Sequence, residues 1–282
     1  MGGLWTPGSG MSFDVDNFGA SPVATLGTSV IPGASNAEGS WTNLLGALAF
    51  EVIGFLVTVT GGATAGTIKS HLLDIGIDPA GGSSYVPIIS NIVCGNSRPP
   101  NPGGYNFYFP MRLPAGATVA ARVQGVAATA GTVRIGIKCW GRPGSEWLIP
   151  VGQYSETIGA ITNSSGVGFT PGNAAFGTWV SLGATTRELW WWQIAFQIDN
   201  TVLTAEGCYI EIAHGDATTK NVITRVQSIN SAAEEVSNVV QEQLCPASSY
   251  CPVVPGTNIY VRGRCQNAPD TGYNAVAVGI GG

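Results

Sequence analysis

The sequence predicts an all-β protein made of two tandem jelly-roll-like β-sandwich domains that arose by internal duplication. Short segments such as SHLLDIGID and TVRIGIKCW alternate apolar with small or polar residues, the period-two pattern of a half-buried strand. Clusters rich in Gly, Pro, Asn and Ser, such as GNSRPPNPGG, separate these segments and predict turns. The third observation is that one half of the chain repeats features of the other in the same order.

The repetition is clearest in two stretches, YFPMRLPAGATVAARVQ from Tyr108 and YCPVVPGTNIYVRGRCQ from Tyr250. Both place Pro and Gly ahead of a β-branched run that carries Arg. Proline fixes φ and glycine accepts positive φ, so each stretch predicts a turn into a strand. Further matches keep their order at a nearly constant spacing along the chain: Pro32 with Pro171, Trp41 with Trp179, Glu51 with Glu188, Asp74 with Glu211, Pro114 with Pro255, and Arg122 with Arg262.

These matches set the predicted domain organisation. An N-terminal arm covers 1–24, the first sandwich 25–141, a linker 142–168 and the second sandwich 169–282. Each sandwich then has an ordinary single-domain size. Helical periodicity is scarce, and AAEEVSNVVQEQL at 232–244 is the one segment that favours a helix.

Composition excludes several function classes. The 282 residues are 10% charged and 44% hydrophobic, with a net charge of −5. Nucleic-acid binding normally needs a basic stripe, and the sequence has none, so we expect no nucleic-acid partner. The most apolar window, from Leu44 to Val59, is short for a membrane span and contains Glu51. We therefore expect buried strands there and no membrane partner.

The six cysteines form no CxxC pair, and none has a neighbouring histidine, so neither a zinc finger nor a redox motif is predicted. Six cysteines in a chain of this length do not make a disulfide scaffold, and we expect buried free thiols. Cys245 and Cys251 are close enough in sequence to bridge, and the sequence leaves that pairing open.

Candidate catalytic groups are few, and we expect no enzyme activity, no metal and no cofactor. No G-x-S-x-G motif surrounds a serine that either of the two histidines could activate. Two acid pairs, Asp74 with Asp78 and Glu211 with Asp216, are candidates for glycoside hydrolysis. Their alternation with Leu and Ile instead predicts carboxylates on a solvent-facing strand surface.

Aromatic residues mark two candidate assembly interfaces. ELWWWQIAF places three indoles on one strand, where Trp191 points to one face and Trp190 and Trp192 to the other. One face of the strand would then lie in the core. We expect the indoles on the other face to contact the second domain or a neighbouring subunit, and to be covered only in the assembled state. The alternative is that these exposed indoles stack on a sugar. The arm has no repeat partner, and we expect its three aromatic anchors to dock on a neighbouring subunit: Trp5, Phe13 and Phe18.

The run LLDIGIDPAGGSSYVPIISNIVCGN, followed by YFPMRLPAGATVAARVQ, resembles structural proteins of tailed bacteriophages. Those proteins carry DIGIG-AAG-SE…IIPNL and then [FY]-P-[LI]-x-[IL]-PAG-[ST]-x-[IVL]-AAR-x-Q. The match covers 72–124 of the first sandwich and fits the second loosely, and Asp78-Pro79 and Ser83-Ser84 depart from the pattern. The resemblance implies a tail-associated virion component, made in the bacterial host cytoplasm, with no catalytic residues.

Three function classes stay open at this point. The first is a tail-associated structural subunit that assembles as a symmetric homo-oligomer with other virion proteins, in which tandem sandwiches let a trimer mimic sixfold symmetry. The second is a capsid component, either a decoration protein or a double-jelly-roll shell protein. The third is a carbohydrate-binding module of the virion, whose partner would be a host surface glycan.

Overall fold

A computed structural model gives the fold of the chain. It describes residues 13–18, 27–61, 70–95, 105–125, 133–141, 151–160, 165–198, 206–230, 238–240, 250–266 and 273–282. Every regular element within these ranges is a β-strand, so the predicted all-β fold class is confirmed. No helix in this part of the chain is long and apolar enough to cross a membrane.

The strands of the first half are β1 (Phe13–Asp16), β2 (Thr28–Val30), β3 (Thr42–Leu45), β4 (Val52–Gly61), β5 (Ser70–Asp78), β6 (Val86–Gly95), β7 (Tyr105–Phe109), β8 (Thr118–Gly125) and β9 (Val133–Gly141). The strands of the second half are β10 (Tyr154–Ile158), β11 (Val167–Phe169), β12 (Gly172–Asn173), β13 (Val180–Ala184), β14 (Leu189–Ile198), β15 (Glu206–Gly215), β16 (Lys220–Asn230), β17 (Asn238–Val240), β18 (Tyr250–Val253), β19 (Asn258–Cys265) and β20 (Tyr273–Gly281).

Two sheets form the first sandwich. One has the order β1-β9-β4-β7, with β2 also paired to β9, and the other has the order β3-β8-β5-β6. Phe55, Ile75 and Phe109 are among the fully buried side chains of its core. If β2 to β9 are lettered B to I, the sheets are B-I-D-G and C-H-E-F. This is the strand order of a jelly roll, with two Greek keys.

The second sandwich repeats this order strand for strand. One sheet has the order β10-β20-β14-β18 with β11 also on β20, and the other has the order β12-β19-β15-β16-β17 with β13 also on β19. Two strands are added: β12, where the first sandwich has only the isolated bridge between Ser35 and Gly125, and β17, which lies beyond β16 at the sheet edge. A shared strand order is what a duplication predicts, and descent of both halves from one ancestral sequence stays a prediction.

The repeated Pro-Gly stretches make the same turn in both sandwiches. Gly116 has φ +85° just before β8, and Gly256 has φ +81° just before β19. A side chain at this φ is strained, so glycine is the residue that suits both turns. The predicted turn into a strand is therefore confirmed in each half.

The predicted arm and linker contribute strands to the sandwiches. In β1, Phe13 stands opposite Gly141 of β9, and in β10, Tyr154 stands opposite Gly281 of β20. Along the chain, the second pair follows the first at the same interval as the other repeated positions. The repeat partner of β1 is therefore β10, which the sequence analysis did not predict. β10 lies within the predicted linker 142–168 and β11 begins there, and both pair with β20 of the second sandwich.

The segment that favoured a helix contains a strand instead. Asn238–Val240 forms β17 and pairs antiparallel with β16, from Gln227 to Ile229. A helix over the whole of 232–244 is therefore wrong, because pairing with an open sheet edge overrides a weak local helix preference. The remaining residues of that segment lie outside the described ranges.

The second sandwich closes one side of the first. Val276, Val278 and Ile280 of β20 point away from their own core and join the buried cluster of the first sandwich. The sheet that carries them packs against β6, and Gln193 of β14 donates a hydrogen bond to the Tyr108 carbonyl of β7. The sheet therefore covers the side where β6 and β7 are the edge strands. Polar contacts reinforce this packing, since the Ser155 hydroxyl donates to the Ile88 carbonyl at 2.7 Å. The two sandwiches therefore share apolar packing across their contact.

Candidate functional site

Each sandwich holds one acid–arginine pair at the same place. Asp74 of β5 lies opposite Arg122 of β8, and Glu211 of β15 lies opposite Arg262 of β19. Arg122 donates from Nε and Nη2 to Asp74 Oδ2, both at 2.9 Å. Arg262 donates from Nε and Nη2 to Glu211 Oε2 at 2.9 and 2.8 Å. The matched positions found in the sequence are thus matched ion pairs in the structure.

A tryptophan ring covers the guanidinium of each pair. The Arg122 guanidinium lies 4.6 Å from the ring centroid of Trp41, and that of Arg262 lies 4.1 Å from the ring centroid of Trp179. Both distances allow a favourable cation–π contact. The repeated Trp, Arg and acid therefore form one structural unit that each sandwich uses once.

The prediction that these carboxylates face solvent is wrong. Glu211 is fully buried and Asp74 is 4% exposed. Strand alternation does turn them away from the core, but the arginines and aromatic rings then cover them. Asp78 is buried too, and its carboxylate accepts the backbone N–H groups of Ala80 at 2.9 Å and Ser84 at 2.8 Å. These three acids hold the fold in place.

Asp216, the remaining acid of the predicted pairs, stabilises a tight turn. Its Oδ1 accepts the N–H groups of Thr218 and Thr219, both at 2.7 Å. These hydrogen bonds, that of Thr219 most strongly, lower the pKa of the exposed Asp216 carboxyl to about 2. Asp216 is thus engaged by its own turn, whereas the Glu211 carboxylate is held by arginines.

The second sandwich adds a further arginine to its ion pair. Arg225 of β16 lies opposite Glu211 on the other side from Arg262 and donates from Nε to Oε1 at 2.7 Å. The side chains of Arg225 and Arg262 are 49% and 26% exposed, while the carboxylate between them is fully buried. Two guanidinium groups on one carboxylate leave a net positive charge at the surface.

A third arginine lies in the next row of the same sheet. Arg264 of β19 stands opposite Tyr209 of β15, which in turn stands opposite Gln227 of β16. The Arg264 guanidinium is 5.3 Å from the Tyr209 ring centroid and 5.2 Å from that of Phe176. No carboxylate among the described residues pairs with Arg264. Among the described residues this face thus carries three arginines, of which only Arg225 and Arg262 contact the Glu211 carboxylate.

A groove of about 370 Å³ runs beside Arg264 and Tyr209. The sequence analysis did not predict this face. The run RGR after the Pro255-Gly256 turn could have indicated it, because alternate residues of a strand share a face and this run therefore places two arginines side by side. We name it the arginine–tyrosine groove. It is lined by Ala174, Gly207, Tyr209, Gln227, Arg264, Cys265 and Gln266.

The three consecutive tryptophans are buried within the single chain. Trp190 and Trp191 are 8% and 6% exposed and join the core of the first sandwich, whereas Trp192 is 1% exposed within the second. Of the alternatives predicted, contact with the other domain is the one observed. The prediction that assembly with another subunit is needed to cover these indoles is wrong.

The division of the indoles also differs from simple alternation. Trp190 and Trp191 lie on the same side because the strand register shifts between Leu189 and Trp191. An irregularity of this kind places two neighbouring side chains on one face. Trp192 then returns to the inner face, where its Nε1–H donates to the Cys251 carbonyl at 2.8 Å.

The arm packs on its own sandwich where it is described. Phe18 is half-buried and lies against Gly136 of β9, where a Cβ atom would come within 2.5 Å of its ring. Phe13 belongs to β1, which pairs with β9. Phe18 is therefore an anchor within the chain, contrary to the expected docking on a neighbour, and Trp5 lies outside the described residues.

Four of the cysteines lie buried in strands, where two are free thiols and two form a disulfide. Cys94 and Cys139 are buried free thiols, as expected, and burial raises the pKa of each to about 12. Cys208 and Cys265 form a disulfide, so the expectation of free thiols is wrong for them. They stand directly opposite each other in β15 and β19, a proximity that spacing in sequence does not reveal.

Cys251 is a half-buried free thiol, and burial raises its pKa above the ordinary value. Cys245, which the sequence left as a possible partner for Cys251, lies outside the described residues. Within the described ranges no cluster of three His, Cys, Asp or Glu side chains could hold a metal ion.

No protein-family model matches the chain, and no curated protein is similar to it. PNGF-II, solved in space group C2, aligns over 97% of this chain and 65% of its own, at 8% identity and a TM-score of 0.36. The CBM22-1–CBM22-2 tandem domain of Xyn10C from Paenibacillus barcinonensis aligns over 91% of this chain and 97% of its own, at 8% identity and a TM-score of 0.23. Likenesses this weak carry no conclusion about function.

Proposed function

We propose that the chain is a non-enzymatic structural subunit of a bacteriophage particle, and that three copies form a ring of six sandwiches. The observation that carries the proposal is the contact between the two halves. It joins the β6/β7 side of one jelly roll to the outer face of the β14/β20 sheet of the next. Such a contact uses two different surfaces, so it can repeat from unit to unit and close a ring.

The first sandwich still has the outer face that such a repeat requires. Leu56 and Lys138 stand opposite each other on β4 and β9, at the places that Gln193 and Val278 hold on β14 and β20. In the second sandwich these places are covered by the first, whereas Leu56 and Lys138 are half-exposed. A neighbouring chain's second sandwich is the occupant that would complete the pattern.

The roles of the acidic residues support a structural subunit. Asp74 and Glu211 are held by arginines, and Asp78 is held by backbone N–H groups. A general acid or base must reach the proton that it transfers. Carboxylates engaged in this way are suited to fixing the strands that they join.

We place the ring in the tail, as the resemblance of the first sandwich to tail-associated proteins implies. One observation favours a shell instead: both sandwiches have jelly-roll strand order, an architecture that capsid domains use. An antibody against the chain, imaged on intact particles by electron microscopy, distinguishes the two. Labelling at the tail supports the first placement, and labelling across the shell supports the second.

The ring itself is tested with the purified chain. We expect light scattering to give three times the 29.0 kDa of one chain, and electron microscopy to show six lobes. Leu56→Arg should give a folded monomer, because a buried unpaired charge opposes the contact. Val222→Arg, at an exposed position on the other sheet of the second sandwich, is the matched control and should stay trimeric. A monomeric wild-type chain would falsify the ring.

A further inference from the structure

We propose that the arginine–tyrosine groove binds a carboxylate-bearing sugar residue. The proposal concerns a site outside the contact between the sandwiches and does not rest on the ring. The groove of about 370 Å³ combines one arginine that has no carboxylate partner among the described residues, one aromatic ring and two carboxamides. Each of these features matches one part of an acidic sugar.

The cation is Arg264. It is half-buried, and none of the carboxylates in the described ranges lies within ion-pair distance of it. Neighbouring Arg225 and Arg262 share Glu211, so that row does not neutralise the groove either. A guanidinium binds a carboxylate through two parallel hydrogen bonds, which makes a carboxylate the natural partner of Arg264.

The remaining walls suit a sugar ring. Tyr209 presents an aromatic ring between Arg264 and Gln227, and such a ring packs against the C–H face of a sugar. Gln227 and Gln266 each carry a donor and an acceptor, the pair that a hydroxyl needs. These groups line a single concave surface with the cation at one side.

The backbone leaves room for a ligand at the end of the groove. A Cβ atom built on Gly207 would meet nothing within 4 Å, so open space lies above that position. The groove is near the lower end of the roughly 300–1,000 Å³ typical of small-ligand pockets. This size fits one sugar unit, and the chain's net charge of −5 argues against a long polyanion such as a nucleic acid.

The first sandwich shows that the scaffold does not require these residues. The first sandwich has Gln124 in place of Arg264, Leu72 in place of Tyr209 and Val93 in place of Gln227. These three residues stand opposite one another in one cross-strand row, as their counterparts do. Leu72 and Val93 are buried there. The same fold is thus stable without a cation or an aromatic ring in this row, so their presence in the second sandwich calls for a role beyond folding.

The experiment is calorimetric titration of the purified full chain with sodium glucuronate, glucose and sodium sulfate. We expect glucuronate to bind in the millimolar range and glucose to bind at least tenfold more weakly. Arg264→Gln, which copies Gln124 of the first sandwich, should weaken glucuronate binding at least tenfold. Arg112→Gln removes an exposed arginine of the first sandwich and should leave binding unchanged.

Thermal unfolding of each variant verifies that it is folded before titration. Tyr209→Leu, copying Leu72, is the second variant and should weaken glucuronate binding while leaving the charge of the groove intact. Equal binding of sulfate and glucuronate would overturn the sugar assignment. Unchanged binding by Arg264→Gln, or no binding of glucuronate at ten times the expected dissociation constant, would overturn the site. None of these outcomes bears on whether the chain forms a ring.

Discussion

The outer faces of the two arginine-bearing sheets have the same framework and different surfaces. Both carry an acid, an arginine and a tryptophan in the same cross-strand arrangement. In the first sandwich Glu38 also pairs with Arg122, at 2.5 Å, whereas Phe176 lies 4.3 Å from the Arg262 guanidinium in the second. The first cluster therefore places two carboxylates on one arginine and has a net negative charge, whereas the second places two arginines on one carboxylate and has a net positive charge.

This difference separates residues that build the fold from residues available for another role. Features present in both sandwiches, such as the buried acid, stabilise the common scaffold. Features confined to one sandwich, such as Tyr209 and Arg264, are free to serve binding because the other sandwich folds without them. Internal repetition thus supplies a comparison that a single-domain chain lacks.

The largest expected difference between the sandwiches appears at alkaline pH. Burial raises the pKa of Cys94 and Cys139 from 9.0 to about 12, and both belong to the first sandwich. Their stabilising contribution is complete below pH 9 and is lost as pH rises from 9 to 12. A rise in pKa of this size corresponds to about 4 kcal/mol for each thiol. We expect thermal unfolding to show a large loss of stability between pH 8 and pH 11.

The matched variant for this prediction carries Cys94→Ala and Cys139→Ala together. Without titrating thiols, it should lose much less stability over the same pH interval. Burial also raises the pKa of Tyr108, so part of the alkaline effect should persist in the variant. An equal loss in variant and wild type would show that the buried thiols do not control alkaline unfolding.

Neutralising the buried acids should destabilise the second sandwich more than the first. Glu211→Gln removes the carboxylate that two arginines share, and losing hydrogen bonds to a charged group costs about 1.5–3 kcal/mol. Asp74→Asn should cost less, because Arg122 keeps Glu38 as a partner. Glu51→Gln, in an exposed pair with Arg112, is the control and should change stability by less than about 0.5 kcal/mol. Denaturant unfolding gives all three values, and the reverse order would contradict the comparison.

The disulfide should stabilise the second sandwich only. Cys208 and Cys265 are 57 residues apart, and the same places in the first sandwich hold His71 and Gly125. Replacing both cysteines by alanine should cost about 2–4 kcal/mol. Unfolding in the presence of a reductant should lower the stability of the wild type but not of the double variant. If the reductant affects both equally, the bridge is not the source of the effect.

The smallest expected effect concerns one exposed turn. Ala174 and Asn36 occupy equivalent positions and both have φ +55°. A left-handed conformation is strained for alanine, and asparagine tolerates it better. Ala174→Asn should raise stability by about 1 kcal/mol at most, and Asn36→Ala should lower it by a similar amount. Opposite signs in thermal unfolding are the expected result, and equal signs would show that the turns differ.

The sequence predicted the architecture well because strand alternation and Pro-Gly turns are local signals. The turns before β8 and β19 could be found from Pro114-Ala115-Gly116 and Pro255-Gly256 alone. Edge strands were harder, since β10 lies in a stretch without clear alternation and is held by pairing with β20. Its existence depends on a partner that is distant in the sequence, at the other end of the second sandwich.

The candidate site was less predictable than the fold. Arg264, Tyr209 and Gln227 come from three different strands, so only the register of β19, β15 and β16 brings them into one row. The burial of Asp74 and Glu211 has the same cause, since their arginines approach from neighbouring strands. Single-strand periodicity gives the face on which a residue lies, but it does not give what covers that face.

The shared packing between the sandwiches has a consequence for how the chain is synthesised. Trp190, Trp191 and Ile280 complete the core of the first sandwich, yet Ile280 belongs to β20, whereas β9 ends at Gly141. While the ribosome is still making the second half, the first half exposes the apolar side that these residues later cover. A nascent chain in this state is prone to aggregate and to bind chaperones. We therefore expect the first half to complete its core only after the second half has left the ribosome.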